Sequence, residues 1–412
     1  LFWWEQNPET KKDLNMSEVS YNISGICDPS FEQVKKVFIE NFNVRDELGA
    51  SVCVYKDNKK VVDLWGGYLE SSKNSAWTEN TITLMNSVAK SICSLAVLVL
   101  YDRGIVDIKL PVAEYWPEFK QNGKSEITVH DVLGHKCGAV FSDNAKPGDW
   151  FNYPEQCKAI AEQEPAWPRQ TRGAYNTINI GFILGEVVRN VTGKTIGNFI
   201  REEISTPLGA EYNIGLNQSE AKLVASMHLN PENKFWDECE AGGSNLNRAH
   251  SGRPTDPDRQ ALLNCDEIRL GELPAFGGHG NARGVAKIYA MLANNGEIDG
   301  VRLLKPETVE EISKLQWRGV CEMTHWPTRM ALGFEANSPD HLPMGKNMSA
   351  FGKLGSGGAI GFCDRENKLA FSYCTNYQCE GAGVGIRCKS LIEAAAGKAP
   401  SWDVPKSVEF VG

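Results

Sequence analysis

The sequence predicts an α/β fold of the α+β type, in which one antiparallel sheet is built from both ends of the chain and flanked by helices. Strand-like runs occur near the N-terminus, in "GASVCVYKDNKKVVDLWGG", and near the C-terminus, in "GAIGFCDRENKLAFSYCTN". Between them, from about Ile105 to Leu270, the chain shows helical patterns and proline-rich joints with few strand signals. We therefore expect the middle of the chain to form an inserted, mostly helical lobe.

The first elements in chain order are a helix, a hairpin and a long apolar helix. Apolar residues at helical spacing predict the first helix between Ser30 and Phe42, with its serine as the N-cap. Two β-rich runs flank Asp57 and Asn58, and this pattern predicts a hairpin. The stretch "MNSVAKSICSLAVLVLYDRG" follows as a long helix, and its final glycine can end it in a left-handed conformation.

Three further helices and a second hairpin complete the predicted order. "NIGFILGEVVRNVTG" is a helix that its last glycine closes, and "ARGVAKIYAMLANNGEIDG" is a helix followed by a turn. The C-terminal strand runs form the second hairpin, and "GIRCKSLIEAAAG" ends the fold as a helix. The predicted organisation begins with an N-terminal extension, 1–28, and ends with a tail, 401–412. Between them lies a single unit, which consists of an α/β lobe (29–84 with 271–400) and a helical lobe (85–270).

Composition limits the partners of this protein. The chain has 412 residues, of which 42% are hydrophobic, so it can bury a substantial core. Its formal net charge is −9, which argues against nucleic acid and anionic membranes as partners. The longest apolar run, Ser94 to Tyr101, is too short to cross a bilayer. We therefore expect a soluble body without firm membrane association.

Cysteine content and glycosylation sequons favour a secreted glycoprotein, with a cytoplasmic location as the alternative. The chain has 12 cysteines, more than a reduced cytosolic enzyme of this size needs. Disulfide bonds are expected, and Cys374 with Cys379, or Cys379 with Cys388, are the more plausible bridge members, although the sequence alone does not give the pairing. The first residue is not methionine, and the N-terminal segment has no signal-peptide pattern of its own. Sequons occur at Asn15, Asn22, Asn190, Asn217 and Asn347.

Ser87 and Lys90 are three residues apart at the start of the long apolar helix, so they lie on one helical face. Since the following residues are apolar on all sides, we expect this helix to be buried. A desolvated lysine shifts towards its neutral form and can accept a proton from a neighbouring hydroxyl. The free N–H groups at a helix start stabilise negative charge, so the pair has the arrangement of an activated nucleophile.

The spacing alone is common, because a Ser-x-x-Lys match arises roughly once or twice by chance in a chain of this length. A second match, Ser219 with Lys222, lies in a polar segment. We expect that second pair to lie on a solvated surface. An ordinary buried helix remains the alternative interpretation of Ser87 and Lys90 until other residues are considered.

The order of three markers resembles the serine β-lactamase and penicillin-binding-protein superfamily, and the nearest branches are class C β-lactamases and β-lactamase-fold esterases. The first marker is Ser87-Val-Ala-Lys90 at the start of the buried helix. Tyr175, in "AYNTINIGFILGEVV", lies 88 residues beyond Ser87. Lys353-Leu-Gly355 stands 266 residues beyond Ser87, where the family has Lys-Thr-Gly. The resemblance runs from about Phe31 to Ala395 and implies a β-lactamase/transpeptidase-like fold.

The resemblance implies a role for each marker. Ser87 is the nucleophile that forms an acyl-enzyme, and Lys90 with Tyr175 is the proton-relay pair. A tyrosine works as a base near neutral pH only if adjacent cations lower its pKa, and Lys90 and Lys353 supply them. The backbone N–H groups of Ser87 and Ser356 form the oxyanion hole. Gly355 and the glycines after it allow the substrate to approach the backbone.

Departures from the family pattern indicate the substrate class. The β-lactam processors carry Tyr-x-Asn and Lys-Thr-Gly, whereas this chain has Thr177 and Leu354 at the corresponding positions. The expected function is therefore hydrolysis of an ester or small amide. A D-amino-acid peptidase or amidase is an alternative, since Lys353 could hold a substrate carboxylate, and a non-catalytic scaffold relative is the alternative outside enzymes. The expected partner is a small-molecule ester, amide or peptide.

Other candidate features favour structural roles. Ser142-Asp143-Asn144 matches a class A triplet but lies in a polar, proline-containing segment, so a turn is its expected structure. His135 and His279 are expected to be structural, with a place near the cleft as the alternative. The sequence has no His-Glu-x-x-His, Cys-x-x-Cys or phosphate loop, and we expect neither a metal nor another cofactor.

Overall fold

The computed structural model describes residues 22–233, 237, 241–255, 258–379, 381 and 383–411. Strands come from both ends of this chain and helices fill the middle. The strands are β1 (Ser24–Cys27), β2 (Gly49–Lys56), β3 (Lys59–Gly67), β4 (Thr83–Leu84), β5 (Tyr212–Ile214), β6 (Gly278–Gly280), β7 (Glu297–Ile298), β8 (Val301–Arg302), β9 (Trp317–Val320), β10 (Pro327–Met330), β11 (Glu335–Ala336), β12 (Phe351–Leu354), β13 (Ile360–Asp364), β14 (Leu369–Thr375) and β15 (Glu409–Phe410).

Most of these strands form one antiparallel sheet. Its spatial order is β1-β3-β2-β14-β13-β12-β11-β10-β9-β15. The N-terminal and C-terminal halves meet where β2 pairs with β14, with Val52 opposite Tyr373. This arrangement confirms the predicted fold class, a mixed α/β protein whose sheet is built from both ends of the chain. Two small sheets, β4-β6-β5 and β7-β8, accompany it.

Helices provide most of the regular secondary structure described between β4 and β6. The α-helices are α1 (Glu32–Val44), α2 (Val88–Asp102), α3 (Val112–Tyr115), α4 (Val129–Leu133), α5 (Tyr153–Glu162), α6 (Asn179–Thr192), α7 (Ile196–Ile200), α8 (Thr206–Leu208), α9 (Gln218–Ala221), α10 (Asn245–Ala249), α11 (Arg259–Asn264), α12 (Asp266–Leu270), α13 (Ala282–Ala293), α14 (Pro306–Ser313) and α15 (Gly385–Ala396). A π-helical turn, Arg201–Ser205, joins α7 to α8. The lobe boundaries at 84/85 and 270/271 stay a prediction.

Helices cover both faces of the large sheet. Helices α1 and α15 pack together on one face, where Phe38 and Leu391 belong to one buried apolar cluster with β2, β13 and β14. Helix α13 packs on the other face, and its cluster continues into α2 and α6. Helix α2 therefore lies between the sheet and the helical lobe, which places its N-terminus at the junction of the two.

The helix and turn predictions near the N-terminus hold with one correction. The first helix is preceded by a 3₁₀ turn at Pro29–Phe31, and Asp28, not Ser30, caps that turn by accepting the Ser30 N–H. Asp28 and Ser30 both have cap-forming side chains, and Asp28 is the cap because the helical turn begins directly after it, at Pro29. Asp57 and Asn58 have φ of 49° and 62°, as a two-residue hairpin with the right-handed twist of its strands requires.

Both predicted terminal segments contribute an edge strand. Strand β1 lies within the predicted extension and pairs with β3, with Ile26 opposite Asp63. Strand β15 lies within the predicted tail and pairs with β9, with Phe410 opposite Trp317. The two ends of the described chain therefore close the two edges of the large sheet. Residues 1–21 of the predicted extension, including the Asn15 sequon, lie outside the described residues.

The disulfide prediction is wrong. Cys374 and Cys388 are free, buried thiols, so neither can be the partner of Cys379. The Cys374 Sγ instead lies 3.1 Å from the hydroxyl of Ser51 on the neighbouring strand. Cys239 lies outside the described residues. Secretion and glycosylation stay predictions, and in the described ranges no helix is long and apolar enough to cross a membrane.

Candidate active site

Ser87 lies immediately before α2, where the chain enters a fully buried helix. The residue before it, Asn86, has φ of 48°, a left-handed conformation that turns the backbone sharply into the helix. The Ser87 side chain makes no capping hydrogen bond to the first turn, so its hydroxyl is directed elsewhere. All residues from Val88 to Leu100 are buried, as the apolar pattern predicted, and they hold this helix start rigidly.

Lys90 is 2% exposed, yet it has no carboxylate partner among the described residues. Its Nζ donates hydrogen bonds to Ser87 Oγ at 2.9 Å and to the carbonyl oxygen of Ala275 at 2.8 Å. Burial lowers the pKa of Lys90, although the neighbouring Tyr175 opposes this effect. The predicted Ser-Lys contact is therefore present, and the lysine is poised closer to its neutral form than a surface lysine.

Tyr175 lies between two ammonium groups. The Nζ of Lys90 is 5.2 Å and the Nζ of Lys353 is 4.4 Å from the centre of its ring. The Ser87 hydroxyl and both ammonium groups act on the pKa of this phenol. Burial raises the pKa of Tyr175, but the two lysines outweigh burial and leave the pKa below its ordinary value. The ring also stacks on His135, with ring centres 5.4 Å apart.

Lys353 is held by Glu335, a residue that sequence reasoning missed. Its Nζ donates to Glu335 Oε1 at 2.5 Å, and both side chains are buried. Burial lowers the pKa of Lys353, but Glu335 and Tyr175 together outweigh burial and raise the pKa above its ordinary value. Glu335 lies on β11 opposite Gly352 of β12, so the pair spans neighbouring strands. Because Glu335 already pairs with Lys353, a substrate carboxylate would have to compete with Glu335 for the Lys353 ammonium.

The turn after β12 is joined to the start of α2. Asn86 donates from Nδ2 to the carbonyl oxygen of Ser356 at 2.8 Å. A Cβ on Gly355 would lie 2.1 Å from the carbonyl oxygen of Met85. The glycine therefore permits backbone-to-backbone contact with the serine turn, which differs from the predicted reason, substrate approach. In the described ranges, the N–H groups of Ser87 and Ser356 donate to no backbone carbonyl.

These residues line one pocket. One side is polar and contains Ser87, Lys90, Tyr175, Lys353 and Glu335. The other side is apolar and comes from the helical lobe, with Trp150, Ile178, Leu246, Leu262, Leu263, Ile268 and Phe276. Thr177 and Leu354, the two departures from the β-lactam pattern, both line the pocket as well.

His135 packs against Tyr175 as a neutral ring, although it does not itself line the pocket. It accepts the Asn176 N–H on Nδ1 at 2.9 Å, and burial lowers its pKa well below the ordinary value. His279 lies outside the pocket lining on β6, where its ring nitrogen meets the carbonyl oxygen of Gly277 at 3.0 Å. Both histidines are buried, which fits the structural interpretation, and only His135 contacts a site residue.

The class A-like triplet that begins at Ser142 and the second Ser-x-x-Lys match, Ser219 with Lys222, both lie outside the pocket. Ser142 is buried and accepts a hydrogen bond from Gln156 at 3.0 Å, and it does not line the pocket. Ser219 and Lys222 are exposed on a short helix that Asn217 caps, as expected for a solvated surface. Across the described chain, no group of three His, Cys, Asp or Glu side chains is placed to hold a metal ion.

Comparison with known proteins identifies the family. A family model described as Beta-lactamase matches residues 38–385. Esterase/beta-lactamase LipL of Mycobacterium tuberculosis (strain ATCC 25618 / H37Rv) is 29% identical over 361 residues, which cover 86% of this chain and 83% of that protein.

Two solved structures share the fold over nearly their whole length. A family VIII carboxylesterase superposes with a TM-score of 0.82 at 33% identity, over 90% of this chain and 98% of that chain. A penicillin-binding protein homolog from Caulobacter crescentus superposes with a TM-score of 0.82 at 30% identity, over 91% and 99%. The chain therefore belongs to the beta-lactamase family and is an esterase-like serine hydrolase.

Proposed function

We propose that Ser87 is the nucleophile of this hydrolase and that Lys90 and Tyr175 carry its proton. The observation that carries the proposal is the 2.9 Å contact between Lys90 Nζ and Ser87 Oγ, beside a phenol that two lysines surround. Lowering the pKa of a tyrosine increases the fraction of phenolate that can accept a proton near neutral pH. Lys353 supplies the second of the two charges that favour phenolate.

The reaction then proceeds through an acyl-enzyme. Ser87 Oγ attacks the ester carbonyl while its proton passes to the Tyr175–Lys90 pair, which gives a tetrahedral oxyanion. The N–H groups of Ser87 and Ser356, which are free of backbone acceptors in the described ranges, donate to this oxyanion. When the C–O bond breaks, Tyr175 returns the proton to the alcohol. A water molecule then attacks the acyl-enzyme with the same base and releases Ser87.

An ester is the substrate that the pocket favours. Thr177 replaces the asparagine that grips an acyl amide in β-lactam processors, and Leu354 replaces the threonine that helps to bind their carboxylate. The apolar side of the pocket suits an acyl or alkyl group. The relatives named as an esterase and a carboxylesterase support the same substrate class. A small amide is the second substrate class within this mechanism.

Labelling with a fluorophosphonate and turnover of 4-nitrophenyl esters test the nucleophile. The wild-type protein should be labelled and should release nitrophenol, and Ser87→Ala should abolish both. Ser219→Ala is the matched control, because Ser219 also precedes a lysine by three residues but lies exposed on the surface. Labelling that survives Ser87→Ala would refute this assignment.

A further inference from the structure

Glu335 is a buried carboxylate at the polar side of the pocket that the proposed mechanism does not use. The residue is 5% exposed and lines the pocket beside Thr328 and His341. One of its oxygens, Oε1, accepts from Lys353. The other oxygen, Oε2, is buried and has no hydrogen-bond partner among the described residues. A buried carboxylate oxygen without a donor is unfavourable, and this oxygen belongs to a residue that lines the pocket.

The neighbouring side chains do not fill this acceptor. The Thr328 hydroxyl donates to the carbonyl oxygen of Trp326 at 3.0 Å. Leu354, which also lines the pocket, has no polar group to offer. Burial lowers the pKa of His341 to about 4, so this ring is uncharged at neutral pH and adds no positive charge beside Glu335. None of these three side chains therefore supplies a donor to Glu335 Oε2.

Glu335 also changes what Lys353 can bind. The Lys353 ammonium already faces a carboxylate at 2.5 Å and lies 4.4 Å from the centre of the Tyr175 ring. A substrate carboxylate that approached Lys353 would approach the negative charge of Glu335 at the same time. Among the described lining residues, the other cation is Lys90, which contacts Ser87 and the Ala275 carbonyl. The polar side therefore has no cation free of a protein partner to receive an anion.

Resting on the proposed esterase function, we propose that Glu335 determines the charge of the substrate. The pocket selects uncharged esters that bring an N–H or O–H donor to Glu335 Oε2, and it rejects esters that carry a carboxylate. In this proposal Glu335 acts in substrate recognition and takes no part in the bonds that Ser87 makes and breaks. A glutamine at the same position removes the negative charge and keeps the size of the side chain, so it frees the Lys353 ammonium to receive an anion.

Matched substrates test this selectivity. The acetate esters of 4-hydroxybenzamide, methyl 4-hydroxybenzoate and 4-hydroxybenzoate vary the group on the alcohol side, and 4-nitrophenyl glutaramate and glutarate vary it on the acyl side. In the wild-type protein we expect kcat/KM for the carboxamide to exceed that for the carboxylate by about tenfold or more in one of the two series. The methyl ester, which has no donor, should fall between them.

The variant Glu335→Gln should reduce the carboxamide-to-carboxylate ratio by about tenfold. Taking a ratio within each variant cancels an effect of Glu335 on the proton relay that both esters share. Comparing the ratio between variants cancels the difference in intrinsic reactivity between the two esters. Glu322→Gln is the matched control: it removes one negative charge from a partly exposed residue that pairs with Arg172 and does not line the pocket. We expect its ratio to equal that of the wild-type protein.

Two results would overturn the proposal. One is a wild-type ratio at or below one in both series, which needs no variant to fold. The other is an unchanged ratio in Glu335→Gln that has a wild-type melting curve. Failure of the proposed function looks different, since Ser87 would then not react with a fluorophosphonate whichever substrate is preferred.

Discussion

A Cβ on Gly355 would lie 2.1 Å from the carbonyl oxygen of Met85, so the end of β12 and the start of α2 touch through their backbones. Contacts under 3.0 Å do not occur for real Cβ atoms, so any side chain at this position must push the two segments apart. The two N–H groups proposed for the oxyanion hole, on Ser87 and Ser356, lie one on each of these segments. Their separation therefore depends on this glycine.

Gly355→Ala should lower kcat/KM for a 4-nitrophenyl ester by about 100-fold, because misplacing one oxyanion donor has an effect of that size. Steady-state kinetics measure this effect. Gly242→Ala is the control, since an added Cβ at that exposed glycine meets nothing within 4 Å. Kinetics of Gly355→Ala equal to the control would show that this contact does not set the oxyanion geometry.

Lys90→Ala should abolish acylation, because it removes the group that contacts Ser87 Oγ and one of the two charges beside Tyr175. The rate of fluorophosphonate labelling should fall by about 100-fold or more, the range of general-base catalysis. Lys222→Ala is the control, because Lys222 belongs to the second Ser-x-x-Lys match and lies exposed on the surface. If Lys90→Ala labels at the rate of Lys222→Ala, Lys90 is not the activator.

Replacing Lys353 and replacing Glu335 should shift the acid limb of the pH profile of kcat/KM in opposite directions. Activity rises as the phenol loses its proton, so the limb follows the pKa of Tyr175, which the two lysines lower. Lys353→Met removes a cation, raises this pKa and moves the limb to higher pH. Glu335→Gln removes an anion, lowers this pKa and moves the limb to lower pH. Shifts of about one unit are expected.

Measuring kcat/KM across pH for the wild type and both variants checks these directions. The exposed Lys222→Met is the control for the loss of one positive charge, and its limb should match that of the wild type. Movement of both site variants in the same direction would contradict the assignment of the limb to Tyr175.

Reducing agents should not change the stability of the folded protein through Cys374 or Cys388, because both are free thiols. Unfolding in guanidinium with iodoacetamide and without reductant should alkylate both cysteines fully, as peptide mass spectrometry would show. Alkylation before unfolding should be slow, since both thiols are buried. Recovery of either cysteine in a disulfide-linked peptide would contradict the structure.

Some features follow from local sequence pattern. The apolar run of α2 predicts a buried helix, and the turn residues Asp57 and Asn58 predict a hairpin, because period and turn chemistry act over a few residues. The choice of Asp28 over Ser30 as the first cap did not follow, since both residue types cap helices and lie two positions apart. The disulfide prediction was wrong because pairing depends on how the strands bring thiols together.

The sequence by itself determined the fold class, the buried helix behind Ser87, and the candidate residues Lys90, Tyr175 and Lys353, through spacing, apolar pattern and a family resemblance. Only the tertiary structure decided that Glu335 belongs to the site and that Gly355 touches Met85. Neither relationship has a local signal: Glu335 reaches Lys353 across two strands, 18 positions apart, and Gly355 meets a segment 270 residues away. Such contacts arise from strand pairing and the packing of α2 against the sheet, which no short window of sequence contains.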